Sequence, residues 1–62
     1  MITKKEYVGK TLQEAIKYAT DGGFVTRIVE KNGKAEMLDI SVRADRLNFR
    51  LRDEIVTDVF GG

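Results

Sequence analysis

From Arg46 to Arg52 the chain alternates without interruption: Leu47, Phe49 and Leu51 fall on one parity, and Arg46, Asn48, Arg50 and Arg52 fall on the other. A period of two marks a strand with one face buried and one face polar. The polar parity carries three guanidinium groups and no acid. Something in the fold has to answer them.

Upstream the spacing is helical. Leu12, Ala15, Ile16 and Ala19 recur on one face, Thr11 is placed as an N-cap, and Glu14, three residues later, completes a capping box. Val8 stands where it can fold back on Ala15 as a hydrophobic staple, and Asp21-Gly22-Gly23 supplies the stop. From Phe24 to Glu30 the β-branched run FVTRIVE predicts a strand with Phe24, Thr26 and Ile28 on one face and Val25, Arg27 and Val29 on the other. Asn32-Gly33 is a strong hairpin cue, because both residues tolerate positive φ, and it predicts a ribbon from Phe24 to Ile40. The competing reading makes the strands at Phe24 and Leu47 parallel, which requires a connection of about a dozen residues or more, and 31–45 is long enough. A connection of that length in so small a domain is usually functional. Asp53-Glu54 reads as a tight turn, Ile55 to Phe60 as a closing strand and Gly61-Gly62 as a disordered or bulged tail. The expected fold is α+β: one helix packed on a small mixed three-stranded sheet, with a long loop between the first two, parallel, strands.

Sixty-two residues make one domain, 1–62, and at this size folding buries only about 60% of the unfolded surface. The chain has no Cys and no His, so disulfides and thiolate or imidazole metal ligands are absent and the apolar core must suffice, with self-association as a further source of stability. Ser41 is the only serine, so neither a Ser/His/Asp nor a Cys/His arrangement can be assembled; a non-enzyme without cofactor or metal is expected. MITKKEYVGK lacks an apolar leader, and no run approaches the roughly 20 apolar residues that span a bilayer; a cytoplasmic protein without membrane contact is expected. Lys and Arg number 11 against 10 Asp and Glu, which argues against extended nucleic acid as a partner.

The order YVGKTLQEA, strand, long connection, RADRLNF, turn and a final strand ending in glycine resembles the potato inhibitor I family of serine-protease inhibitors. The bacterial branch, known as peptidase inhibitor I-seventy-eight, is similar in its Arg-x-Asp-Arg-Leu-Asn stretch, which Arg43 to Asn48 matches. The likeness runs from Tyr7 to Gly62. It implies an exposed loop that binds a protease in the manner of a substrate and is held rigid by arginines of the following strand. Carried over, it places Ile40 before the scissile bond and Ser41 after it, with Asp39, Val42 and Arg43 completing the binding loop. Arg46 falls on a supporting arginine; Asn48 falls where plant members carry a second one and the bacterial branch has asparagine. Members typically have threonine at the place of Asp39, an acid at that of Ser41 and tyrosine at that of Val42, so the loop is divergent.

Three functional readings follow. The first is an inhibitor that binds a subtilisin-like or chymotrypsin-like serine protease through Asp39, Ile40, Ser41, Val42 and Arg43, braced by Arg46, Asn48 and Arg50. The second is a non-inhibitory, oligomeric module of bacterial or viral source that sequesters a protein or a small anionic ligand such as a nucleotide, with Arg43, Arg46 and Arg50 as phosphate forks. The third is a structural domain in which the cations only solvate an outer face and Arg50 and Arg52 pair with Asp53, Glu54 and Asp58. Met37, Leu38, Ile40 and Val42, if exposed, form a patch that a partner or a second copy would cover. Lys4, Lys5 and Lys10 serve solubility, and Tyr7 and Tyr18 are expected at the core edge with wet hydroxyls.

Overall fold

In the computed structural model, which describes residues 4–36 and 43–62, a helix α1 spans Leu12–Asp21. Both halves of its capping box form. The Thr11 hydroxyl accepts from the Glu14 N–H at 3.3 Å, and the Glu14 carboxylate accepts from the Thr11 N–H at 3.2 Å. At the other end the Gly22 N–H bonds the carbonyls of Tyr18 and Ala19, and Gly23 takes a φ of 88° that other residues avoid. Ala15 and Ala19 have no exposed surface, and their small side chains let the helix lie close against the sheet.

The segment before the helix begins with a 3-10 turn at Lys4–Glu6 and contributes more to the core than its sequence suggests. Tyr7 is 4% exposed, and its ring lies 5.8 Å from that of Phe49 and 5.2 Å, edge-on, from that of Tyr18. It therefore belongs to the core rather than its edge. Tyr18 stays on the surface, where its hydroxyl donates to Glu6 and that bond raises its pKa. Val8, expected to fold back on Ala15, is exposed.

Among the described residues the sheet has four strands rather than the expected three. They are β1 (Val25–Lys31), β2 (Lys34–Ala35), β3 (Arg46–Arg52) and β4 (Ile55–Gly61), in the order β2-β1-β3-β4. The additional strand is only two residues long, formed when Asn32 and Gly33, at φ 52° and 82°, turn the chain back on β1. One more bond, from the Glu36 N–H to the Val29 carbonyl, extends it. The Asn-Gly turn and the parallel pairing of β1 with β3, competing predictions from sequence, thus coexist, the returning arm being described only as far as Glu36; 37–40 of the expected ribbon lie outside the described residues. β1 and β3 run parallel from Val25↔Arg46 to Lys31↔Leu51, and β3 and β4 run antiparallel.

Leu47, Phe49 and Leu51 point to one face and form the core with Tyr7, Ala15, Ala19, Val56 and Val59, while Leu12, Phe24 and Ile28 close its margins. Each fully buried aliphatic or aromatic side chain of this kind contributes about 1.5–3 kcal/mol, which makes β3 the strand the fold depends on most. Asp53 and Glu54 turn β3 into β4 with φ of 52° and 67°. The expected tail is ordered instead: Gly61 ends β4, and the Gly62 N–H donates to the Arg46 carbonyl at 3.2 Å. Among the described residues, no helix is long and apolar enough to cross a membrane.

Candidate functional site

Directly paired strand residues project to the same side of a sheet, so the register decides which side chains share the face turned away from α1. Val25 lies beside Arg46, Arg27 beside Asn48, Phe60 across from Asn48, and Asp58 across from Arg50. This face is built around an amide. Asn48 has no exposed surface; its Oδ1 accepts from Arg27 Nε at 2.8 Å and its Nδ2 donates to the Phe60 carbonyl at 3.3 Å. One side chain thus joins β1, β3 and β4.

Arg46, one residue pair along, is 8% exposed, and its Nε and Nη2 both donate to the Gly62 carbonyl, at 3.2 and 2.8 Å. Burying a guanidinium is costly unless its donors are met. Among the described residues no buried side-chain nitrogen or oxygen lacks a partner. Gly62 is in this way held by a fork and by a main-chain bond together.

Arg50 is different. It is exposed, its Nη1 lies 3.6 Å from the Asp58 carboxylate, and its guanidinium stands 5.5 Å from the centre of the Phe60 ring. Asp58 is shared with Lys4, whose Nζ is 2.9 Å away, and the Lys4 hydrogen bond is the main cause that holds its carboxyl below the ordinary aspartate value. Arg52 is exposed. Arg43, also exposed, grips Asp45 with Nε and Nη2 at 3.0 and 2.9 Å, and the Asp45 carbonyl accepts from the Val25 N–H at 2.9 Å. That pair marks where the long connection rejoins the sheet.

Of the sequence-predicted site residues, then, Arg46 and Asn48 are buried and adjacent, Arg50 lies further along at the surface, and Arg43 stands at the entry to β3. Asp39, Ile40, Ser41 and Val42 lie outside the described residues, as do Met37 and Leu38. Sequence reasoning missed Arg27 and Gly62. Arg27 shares the outer parity with Val25 and Val29, but only the parallel register sets it opposite Asn48. Among the described residues no group of His, Cys, Asp or Glu is placed to hold a metal ion. Compared with known proteins, the chain matches no family model, no curated protein and no solved structure.

Proposed function

We propose that this chain is a small, non-catalytic protein of potato inhibitor I type that binds a subtilisin-like or chymotrypsin-like serine protease. Asp39, Ile40, Ser41 and Val42 meet the enzyme, Ile40 enters its primary specificity pocket, and Arg43 borders the contact. Arg46 and Asn48 stabilise the floor from which the binding segment is presented. The observation that carries this reading lies along one strand face: of the three residues expected to brace the segment, Arg46 and Asn48 are buried and multiply bonded, while Arg50, like Arg52, is exposed and takes no part in that floor. A merely solvated face gives no reason for that division. A rigid floor suits inhibition, because a preorganised segment loses less conformational entropy on docking.

Capture of a small anion through Arg43, Arg46 and Arg50 draws less support. These side chains already bond Asp45, Gly62 and Asp58, so a phosphate would have to displace them.

The test is titration of the chain against subtilisin-like and chymotrypsin-like enzymes. Tight, slowly released inhibition is expected, lost in Ile40→Gly, while Arg46→Ala turns the chain from inhibitor into a cleaved substrate. Absence of inhibition across both enzyme classes overturns the reading.

A further inference from the structure

The two turns at one end of the sheet are fastened to each other by a single carboxamide. Asn32, between β1 and β2, accepts on Oδ1 from the Asp53 N–H at 2.8 Å, and its own N–H donates to the Leu51 carbonyl at 2.9 Å. Lys31 Nζ lies 3.4 Å from the Glu54 carboxylate alongside. Asn32 is nevertheless exposed, in an open groove that Lys31, Lys34, Ala35 and Glu36 also line. Its successor is Gly33, and no atom beyond its two chain neighbours lies within 4 Å of where a Cβ would stand there.

We propose that Asn32-Gly33 is a self-modification site at which the carboxamide is converted to a carboxylate, and that the bond from Asp53 restrains the reaction in the folded chain. The Gly33 backbone nitrogen gives up its proton to solvent and attacks Asn32 Cγ. The N–Cγ bond forms, the Cγ–Nδ2 bond breaks, and the amide leaves as ammonia after taking up a proton. Water opens the resulting succinimide at either carbonyl, which yields aspartate at position 32 or the isoaspartyl form, in which the backbone runs through the side-chain carbon. A glycine on the attacking side removes steric hindrance. The restraint is geometric. To reach the Gly33 nitrogen, the carboxamide must leave the Asp53 N–H, and the backbone must leave the left-handed turn conformation it has at φ 52°.

The product alters the sheet. An isoaspartyl unit lengthens the turn by one backbone atom and disrupts the Lys31↔Lys34 pairing, while plain aspartate adds a third acid beside Asp53 and Glu54. The longer isoaspartyl backbone loosens the fastening between the turns.

The chain contains its own references. Asn48, the other asparagine, has no exposed surface and precedes the bulky Phe49, and Asp21-Gly22 can form the same ring only with loss and regain of water, hence without a net mass change. The full chain is held at mildly alkaline pH, with and without denaturant, and followed by intact mass and peptide mapping. The expected result is amide-to-acid conversion at Asn32 and none at Asn48, roughly tenfold slower in the folded chain, the factor that a hydrogen bond of about 1.4 kcal/mol corresponds to. The converted fraction, isolated by ion exchange, melts at a lower temperature than the parent. In denaturant, where folding plays no part, Gly33→Ala slows the conversion. Equal rates with and without denaturant, conversion at Asn48 first, or an unchanged rate in Gly33→Ala under denaturant overturns the proposal.

Discussion

Asn48 reaches to both neighbouring strands, with Oδ1 on Arg27 and Nδ2 on the Phe60 carbonyl, and water reaches neither atom. Removing it takes one bond from Arg27 and one from the Phe60 carbonyl, at a point closed to water, and leaves a void where the fully buried side chain stood. Asn48→Ala is therefore expected to destabilise the chain by about 2–3 kcal/mol, measured from the urea midpoint at unchanged slope, whereas Arg52→Ala, on the same parity but exposed, stays within about 0.5 kcal/mol. Equal losses in the two variants would show that the outer face has no buried polar floor. At Thr11 the expected loss is smaller. Thr11→Ala removes the hydroxyl that accepts from the Glu14 N–H and is expected to cost about 1 kcal/mol in the same measurement.

Among the elements, the β3–β4 turn is the one built from unsuited residues. Asp53 and Glu54 both sit at positive φ, a region that costs a residue with a Cβ roughly 1–2 kcal/mol and that Asn-Gly accepts with little strain. The Lys31–Glu54 ion pair at 3.4 Å is exposed and offsets little of this. Asp53→Asn combined with Glu54→Gly is expected to raise stability by about 0.5–1 kcal/mol, seen as a higher melting temperature; a lower one would mean that the ion pair outweighs the strain. The turn was still legible in the sequence, because two acids separate two alternating runs. The helix was legible for a stronger reason, since Thr11, Glu14 and Gly22-Gly23 state both of its ends. The length of 31–45 pointed to the parallel pairing of β1 with β3. Other features lie beyond periodicity. The register slips between Ile28 and Glu30 and again between Arg50 and Leu51, and no local pattern announces such bulges. A two-residue β2 is too short to leave a pattern at all. Arg27 and Gly62 escaped for a related reason: their partners on β3 are 21 and 16 residues away, and only the sheet register brings them together.

For the whole molecule, the near balance of 11 basic against 10 acidic side chains, without any histidine, sets the response to pH. No ordinary side chain of this composition changes charge between about pH 5.5 and 8, so the melting temperature is expected to be flat there. The acid limb is different. Asp58 is held below the ordinary 3.8, chiefly by its hydrogen bond from Lys4, and Glu14 below the ordinary 4.5, chiefly by its backbone bond from Thr11. A carboxyl whose folded pKa is depressed adds stability that is complete above its unfolded value and is lost as pH falls through the folded one. Melting temperature should therefore decline as pH drops below these ordinary values, and Asp58→Asn should be less stable than the parent at neutral pH yet lose less on acidification. Lys4→Ala should reproduce most of that flattening, since Lys4 rather than the more distant Arg50 supplies the larger part. Thr11 and Glu14 bind each other at the start of α1, apart from the Lys4–Asp58 pair that ties the 3-10 turn to β4, so Glu14→Gln combined with Asp58→Asn should flatten the acid limb by the sum of the single effects. An acid limb as steep in the double variant as in the parent would locate the acid sensitivity in other carboxylates and remove both contacts from the account of stability.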